Sequence, residues 1–161
     1  KEVCDRLARL RVVSTQSAAM VRHRSEIECA YRHADLRGDI VTEAEFELRP
    51  TSPELIAERM AECCRLRAER HPPGGRSAGC IFKNPPHGSA GKLLDLCGLK
   101  GRQVGGVEVS QRHANFILNR GGAVAGDALS LIRIMREAVR RQFGIELDLE
   151  VRHWPARSKV A

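Results

Sequence analysis

The first third of the chain alternates apolar and polar residues in two stretches, a pattern typical of half-buried β-strands. Residues 9–13 (RLRVV) form the first stretch, and residues 38–50 (GDIVTEAEFELRP) form a longer and more regular one. Pro50 ends the second stretch because proline lacks the backbone N–H that a continuing ladder needs. The pattern therefore predicts two strands before residue 51.

A helix is predicted directly after this proline. Ser52 is the expected N-cap, and Pro53 fits the first helical position, where the missing N–H is no loss. A spacing of about 3.6 residues puts several side chains on one face: Ile56, Met60, Cys63 and Cys64. Residues 71–79 (HPPGGRSAG) contain two prolines and three glycines, so they end the helix and mark the predicted domain boundary.

Beyond the boundary, the pattern predicts a short helix, two buried strands and a long amphipathic helix. Ser89 caps the short helix, and Gly98 closes it. Residues 104–109 and 114–119 are short apolar runs that are expected to be buried strands. The long helix stops at Gly144, and its apolar stripe is Ala128, Leu131, Ile132, Met135, Ala138 and Val139.

The last regular segment, residues 145–152, alternates strictly and predicts a closing strand. Its charged residues take one face, and the core-facing side chains are Ile145, Leu147, Leu149 and Val151. Strands that alternate with helices in this way indicate an α/β or an α+β fold.

The chain has 161 residues and a net charge of +7, most of it carried by arginine. One interpretation is solvated helix faces; the other is an anionic partner such as a nucleic acid, a nucleotide or a diphosphate. With one Tyr, one Trp and four Phe, side chains for base stacking are scarce, which weakens the nucleic-acid interpretation. No stretch of the sequence approaches the ~18 apolar residues of a membrane span.

The six cysteines form no CxxC pair and show no metal-ligand spacing with the histidines. Reduced thiols, a cytoplasmic location and no metal site are therefore predicted. The first residues show neither a signal-peptide pattern nor an initiating Met, and the chain is expected to be a fragment of a longer protein.

Several residues could carry chemistry, but each also has an ordinary structural interpretation. Cys80 is either a packed thiol or a reactive one. Arg32 is either a surface turn residue or an anion clamp, and His113 is either a structural side chain or a ligand contact. Glu150 and Arg152 share a face of the predicted last strand, which is either a solvent-facing ladder or the lining of a cleft.

Taken together and in order, six segments resemble the C-terminal half of the UDP-N-acetylenolpyruvoylglucosamine reductase family, also called UDP-N-acetylmuramate dehydrogenase. The segments cover roughly residues 22–152 and are YRHADL, GDIVTEAEFELRP, RSAGCIFKNPP, SAGKLLDLCGLKG, VGGVEVSQRHANFILNRGGAVAGD and FGIELDLEVR. No long insertion carrying a tyrosine lies between the second segment and the helix after it. That absence resembles the shorter of the family's two types.

The resemblance implies an oxidoreductase of peptidoglycan synthesis, and hence of cell-wall formation, cell shape and cell division. In such a reaction NADPH reduces FAD, and the reduced flavin passes a hydride to the enolpyruvyl methylene of a UDP-sugar. An acid must then protonate the neighbouring carbon. The implied partner is the UDP-sugar substrate, with no nucleic acid and no membrane, and a monomer is expected.

The same resemblance assigns roles to individual positions. The family's proton donor is usually a serine in AGSxFKNP, and Cys80 stands at that position here. Arg32 and Glu150 match the two other catalytic positions, which hold and polarise the substrate carboxylate. The remaining assignments are substrate contacts and one cofactor contact: Tyr31, Arg70, Lys83, Asn84 and His113 for the substrate, and Arg152 for the cofactor.

The implied fold is α+β, in three parts. Residues 1–49 correspond to the tail of an FAD-binding α/β domain, residues 50–72 to a connecting helix, and residues 73–161 to the substrate-binding α+β domain. The last strand, residues 145–152, is expected to return toward the flavin site. Because the family's glycine-rich flavin loops are missing from this sequence, the chain alone is expected to hold FAD weakly and to be inactive.

Two other functions fit parts of the pattern. One is a noncatalytic basic α+β module that binds a nucleotide or a nucleic acid, which the arginine content favours. The other is a noncatalytic relative of the reductases that only binds a UDP-sugar. Salt dependence distinguishes the first, because nucleic-acid binding weakens steeply with salt, and substitution of Cys80 distinguishes the second.

Overall fold

A computed structural model describes residues 2–14, 18–73, 76–86 and 88–154 of the chain. The chain divides into two compact units between residues 58 and 59, and together they contain the helices and sheets of an α+β protein. Within the described ranges, none of the helices has both the length and the apolar character needed to cross a bilayer.

Unit 1 is built around a small antiparallel sheet with strand order β2-β1-β5, beside a two-stranded hairpin of β3 and β4. The predicted strands at residues 9–13 and 38–50 correspond to β1 (Leu7–Val13) and β5 (Ile40–Phe46). The half-buried pattern predicted for the second one is wrong, because every residue of β5 is exposed and the strand ends at Phe46, before Pro50. Short 3-10 turns cover Val3–Asp5 and Arg24–Glu26. The described strands of this unit are β1 (Leu7–Val13), β2 (Met20–His23), β3 (Cys29–Ala30), β4 (His33–Ala34) and β5 (Ile40–Phe46).

The alternation in β1 separates a small core from a charged face. Leu10 and Val12 are buried with Ile27. Arg9 and Arg11 lie on the other face, where each forms an ion pair with a glutamate of β5. A strand with one face on a core and the other in solvent alternates apolar and polar residues along its sequence, as β1 does.

Helix α1 (Pro53–Arg70) begins and ends where the sequence predicts. The Ser52 hydroxyl accepts a hydrogen bond from the Leu55 amide at 3.4 Å, as expected of an N-cap. The face that carries Ile56, Met60, Cys63 and Cys64 is exposed. Helical periodicity identifies a face that could be buried, but it does not supply the element that packs against that face.

Unit 2 packs two helices against a three-stranded antiparallel sheet of order β6-β7-β8. Its described elements are α2 (Ala90–Leu96), β6 (Gln103–Val104), β7 (Val107–Val109), β8 (Ile117–Asn119) and α3 (Ala125–Phe143). The predicted capping of α2 by Ser89 is confirmed, because the Ser89 hydroxyl accepts from the Lys92 amide at 3.4 Å. The stripe of α3 is also confirmed, with Leu131, Ile132, Met135 and Val139 buried.

The predicted closing strand at residues 145–152 is not a regular strand. One isolated antiparallel bridge joins Leu149 to Phe82. Leu147 is buried as predicted, but Leu149 is 37% exposed. Alternation describes which side chains face a core, whereas a strand also needs a partner that continues over several residues.

Candidate active site

The chain around Ile81 runs between two other segments of unit 2. The Ile81 amide donates to the Asn115 carbonyl at 2.9 Å, and the Ile81 carbonyl accepts from the Glu150 amide at 2.9 Å. Two residues further on, the Lys83 amide donates to the Asp148 carbonyl at 2.8 Å. The extended segment that carries the predicted proton donor is therefore held on both sides by backbone hydrogen bonds.

The buried carboxamide of Asn115 fixes this segment. Its Oδ1 accepts from the Phe82 amide at 2.9 Å, and its Nδ2 donates to the Phe82 carbonyl at 2.8 Å. Asn115 is 2% exposed and Phe82 1% exposed, so no water substitutes for these bonds. The side chain therefore acts as one rung of a strand pairing and fixes the backbone two residues from Cys80.

The structure brings Cys80 and Glu150 to neighbouring backbone positions. Cys80 is half-buried and forms an isolated bridge with Phe116, and the next residue, Ile81, accepts the Glu150 amide. Gly79 has φ +86°, a left-handed conformation that residues with a Cβ rarely adopt, so glycine is required at the turn before Cys80. A thiol and a carboxylate that lie 70 positions apart in sequence are thereby carried by adjacent segments.

Two other predicted site residues follow this pair along the chain: Lys83 comes after Cys80, and Arg152 comes after Glu150. Lys83 is half-buried, and Arg152 is exposed and lies outside any strand. Because residues 145–152 do not form a regular strand, Glu150 and Arg152 do not share the face of a strand as predicted.

Asn84 has a structural partner at the start of α2. Its Oδ1 accepts from the Ala90 amide at 3.0 Å, so the side chain satisfies one of the amides that a helix N-terminus leaves without an intrahelical partner. The predicted substrate contact at Asn84 therefore has to be made by a side chain whose position is already fixed by the helix.

The His113 ring is held in a defined orientation. Its Nδ1 accepts from the Asn115 amide at 3.2 Å, so in the neutral form the proton is on Nε2. Burial and then the charge of nearby His71 lower the pKa of His113, which favours that neutral form at pH 7. The ring packs edge-on against Phe116, with 5.0 Å between ring centroids.

A basic pocket lies next to this ring. It has a volume of about 190 Å³ and is lined by Ser89, Gly91, Lys92, Asp95, Lys100, Arg112, His113 and Ala114. The Lys100 ammonium pairs with Asp95 at 2.7 Å, which fixes its position at the pocket wall. A hydrogen-bond donor and three cations around one cavity can bind an anion.

The sequence did not predict Lys92, Lys100 and Arg112 as site residues. They are separated along the chain by loops and by β6 and β7. Each is a charged residue of the kind that is common at any protein surface. The one signal that could have identified them is that each lies inside a segment that carries the resemblance to the reductase family.

Arg70, the predicted substrate contact, is the last residue of α1 and does not line the basic pocket. Arg112 donates from Nη1 to the Ala68 carbonyl at 2.6 Å and to the His71 carbonyl at 3.4 Å. These bonds attach the last turn of α1 to the loop that carries His113. Arg70 itself is exposed.

Tyr31 and Arg32 belong to unit 1, where they form the two-residue turn between the paired residues Ala30 and His33. The Arg32 guanidinium carbon lies 5.8 Å from the centroid of the Tyr31 ring, within cation–π range. Arg32 has φ +55°. Left-handed backbone at a non-glycine residue is strained and concentrates at functional sites.

Among the described residues, no three His, Cys, Asp or Glu side chains are grouped in a way that could hold a metal ion.

Residues 71–154 match the family of the UDP-N-acetylenolpyruvoylglucosamine reductase C-terminal domain. The chain belongs to this reductase family. It is 45% identical over 130 residues to the reductase of Pelobacter propionicus, covering 80% of this chain and 44% of that protein. The reductase of Deinococcus radiodurans is 37% identical over 155 residues, covering 96% of this chain and 51% of that protein.

A solved structure agrees with the sequence comparisons. The UDP-N-acetylenolpyruvylglucosamine reductase of Thermus caldophilus has 40% sequence identity and a TM-score of 0.83, covering 94% of this chain and 54% of that one. The chain thus spans about half the length of the reductases that it matches.

Gly91 determines how closely α2 approaches His113. A Cβ at this position would lie 2.7 Å from His113 Cε1, closer than side-chain atoms pack. We expect Gly91→Ala to displace the ring and to destabilise the chain by about 1–3 kcal/mol, as overpacking does. Urea unfolding measures the loss, and the His113 imidazole NMR shifts report the displacement. Gly126→Ala is the matched control, because a Cβ on that helical glycine meets no atom within 4 Å.

Proposed function

We propose that this chain supplies the substrate-binding and proton-donating part of a reductase that converts UDP-N-acetylglucosamine enolpyruvate to UDP-N-acetylmuramate in peptidoglycan synthesis. The observation that carries the proposal is the adjacency of Cys80 and Glu150, held by Asn115 and by the backbone bonds of Ile81. Membership in the reductase family gives this adjacency a chemical meaning.

Cys80 is the proposed proton donor. Hydride addition to the methylene carbon of the enolpyruvyl group leaves negative charge at the carbon that bears the carboxylate, and the Cys80 thiol transfers its proton to that carbon. A thiol is intrinsically a stronger acid than the alcohol of serine, so it can perform this step. The resulting thiolate is reprotonated from solvent before the next turnover.

Arg32 and Glu150 are proposed to act on the substrate carboxylate. A guanidinium that binds the carboxylate stabilises the enolate-like state, because it neutralises charge where charge develops. The backbone of Arg32 is left-handed, with φ +55°, as is common at functional sites. Glu150, anchored through its amide to Ile81, orients the carboxylate end of the substrate and polarises it.

FAD, reduced by NADPH, is the proposed source of the hydride. Of this chain's residues we assign only Arg152 to the cofactor, and its exposed side chain on an irregular segment does not by itself make a flavin site. No step of the proposal therefore uses flavin contacts of this chain. The residues that have defined geometry belong to the substrate side of the reaction.

The basic pocket is the proposed binding site of the substrate's diphosphate. Lys92, Lys100 and Arg112 supply positive charge, and the Nε2–H of His113 supplies a neutral donor. Arg70 is proposed as a further diphosphate contact, because Arg112, which lines the pocket, bonds to the carbonyls of Ala68 and His71 in the same part of the chain. Tyr31, Lys83 and Asn84 are proposed as further substrate contacts.

The proposed organisation follows the reductase family. Residues 1–49 contribute to an FAD-binding domain, residues 50–72 connect, and residues 73–161 bind the substrate, with residues 145–152 returning toward the flavin. The proposed enzyme is a cytoplasmic monomer whose partners are FAD, NADPH and the UDP-sugar.

Binding of UDP to the full chain tests the pocket. We expect Lys100→Ala to weaken binding about tenfold, the effect of losing one charge-assisted contact, when measured by titration calorimetry. Arg133→Ala is the matched control, because Arg133 is an exposed cation on α3 that does not line the pocket, and its UDP affinity should be unchanged.

Two outcomes of this titration would contradict the proposal. Equal loss of affinity in both variants would indicate nonspecific charge attraction. If single-stranded RNA bound more tightly than UDP, with affinity falling steeply between about 50 and 200 mM salt, the chain would be a basic nucleic-acid-binding module instead.

A further inference from the structure

One residue, Asn115, connects the basic pocket to the segment that carries Cys80. Its carboxamide exchanges two hydrogen bonds with the backbone of Phe82, at 2.9 and 2.8 Å, and its carbonyl accepts from the Ile81 amide at 2.9 Å. Its amide donates to Nδ1 of His113 at 3.2 Å. His113 lines the basic pocket, so the hydrogen bonds of a single residue join that pocket to the backbone beside Cys80.

The loop that contains His113 and Asn115 is closed by its own hydrogen bonds. The Ser110 amide donates to the Phe116 carbonyl at 2.9 Å, and the Phe116 amide donates to the His113 carbonyl at 3.0 Å. The Ser110 hydroxyl accepts from the His113 amide at 3.4 Å, and Ser110 is buried. Because these bonds restrict the backbone between Ser110 and Phe116, a change at the His113 ring reaches Asn115.

The His113 ring is confined on two sides. A Cβ added to Gly91 would lie 2.7 Å from His113 Cε1, so the backbone of α2 lies against the ring. Phe116 packs edge-on against His113 with 5.0 Å between centroids, and its ring also packs edge-on against His71 at 5.1 Å. A confined ring does not rotate freely to offer its other nitrogen, so Nδ1 is the acceptor on which the Asn115 amide depends.

Only the neutral form of His113 can make this bond. In the neutral ring Nδ1 is an acceptor, whereas in the imidazolium both nitrogens carry protons and donate. Protonation therefore turns two N–H groups toward each other and leaves the Asn115 amide without its acceptor. Asn115 is buried, and a buried amide without a partner is costly, so the loop has to rearrange.

We propose that neutral His113 is a positioning residue for Cys80, acting through Asn115, and that protonation of its ring releases the Cys80 segment. The proton-donor role of Cys80 in this statement rests on the proposed function, whereas the link itself rests on the hydrogen bonds. A ligand contact at His113 affects substrate affinity. Positioning through Asn115 affects turnover as well, because a general acid has to be held at the carbon that it protonates.

The side chains around His113 favour its neutral form. Burial and then the charge of His71 lower the pKa of His113; Lys100 also lowers it, while a backbone hydrogen bond and Asp95 act in the opposite direction. The charged and titratable groups that face the ring are His71 after α1, Lys92 and Asp95 on α2, Lys100 after α2, and Arg112 on the same loop. With a pKa below the ordinary value of about 6.5, the ring is neutral at pH 7. The bond to Asn115 is then lost as the pH falls through the lowered pKa.

The test is an NMR titration of the full chain between about pH 8 and pH 5, the range in which histidine titrates. The His113 ring shifts give the midpoint of its protonation. The amide protons of Asn115, Phe82 and Ile81 should shift with the same midpoint, and their protection against hydrogen exchange should fall about tenfold, as expected for one lost bond. The Gly144 amide, which is bonded within the last turn of α3, is the control and should not follow this midpoint.

Two variants identify the titrating group. Glutamine offers both an acceptor and a donor but does not titrate, so with His113→Gln the amides should remain protected and lose their pH response. With His71→Gln the response should persist, and its midpoint should move upward because one neighbouring charge is gone. The proposal is overturned if the three amides do not follow the His113 midpoint in the unsubstituted chain. A pH response that survives His113→Gln, or disappears with His71→Gln, overturns it as well.

The same titration with saturating UDP separates this inference from the proposed function. A diphosphate beside the ring should raise the midpoint of His113, because a nearby anion favours the imidazolium. If UDP leaves the midpoint unchanged while the amides still follow it, the diphosphate site is wrong and the link through Asn115 stands. If UDP moves the midpoint but the amides do not follow it, the link is wrong and the diphosphate site stands.

Discussion

Replacing Cys80 with alanine is expected to lower the turnover of the enolpyruvyl substrate by about 100- to 10,000-fold, the usual contribution of a positioned general acid. Alanine fills nearly the same space but has no proton to transfer. Because the chain spans about half the length of its relatives, the assay uses this chain joined behind the N-terminal part of the Thermus caldophilus reductase. NADPH consumption in the presence of substrate measures turnover.

Two controls show whether the loss reports proton transfer. Reduction of bound FAD by NADPH should be unaffected by Cys80→Ala, because that half of the reaction needs no proton from Cys80. Cys80→Ser should retain turnover, since serine is the family's usual residue at this position. Normal turnover with alanine, or an equal loss with serine, would disprove the role of Cys80 as the proton donor.

Replacing Asn115 with alanine is expected to lower the free energy of unfolding by about 2–4 kcal/mol, because it leaves the buried amide and carbonyl of Phe82 without partners. The two lost bonds measure 2.9 and 2.8 Å, and both residues are almost fully buried. The midpoint of urea unfolding of the full chain reports the change.

The matched control is Asn119→Ala. The Asn119 side chain is exposed and accepts one bond, from the Gly121 amide at 2.8 Å, so its loss should cost less than 1 kcal/mol, as is usual for an exposed position. The rate at which iodoacetamide alkylates Cys80 should rise with Asn115→Ala and stay constant with Asn119→Ala. A small stability change with Asn115→Ala, or unchanged Cys80 reactivity, would show that Asn115 does not hold the segment in place.

Elements that depend on neighbouring residues were predictable from sequence. The N-termini of α1 and α2 follow from Ser52 and Ser89, because each hydroxyl accepts a hydrogen bond from the amide three residues further on. The stripe of α3 and its end at Gly144 follow in the same way, since Gly144 adopts φ +68°. Such signals are local, because the interacting groups are separated by one helical turn at most.

Elements that need a distant partner were predicted less well. Residues 145–152 alternate as a strand does, but their strand-like pairing is one short bridge around Phe82, with backbone bonds between Asp148 and Lys83 and between Glu150 and Ile81. The apolar face of α1 has the correct period and is exposed. In both cases the spacing of the apolar residues indicates which of them could be buried together. Whether they are buried depends on the segment that packs against them.

The sequence by itself determined the family, the helix boundaries and the identity of Cys80, Glu150 and Arg32 as residues of interest, because those conclusions rest on residue type and order. Only the tertiary structure showed that Asn115 fixes the segment next to Cys80, that Glu150 is bonded to Ile81, and that three cations share a pocket with His113. These contacts join residues tens of positions apart. Their geometry depends on how the loops of unit 2 close, which no pattern of neighbouring residues specifies.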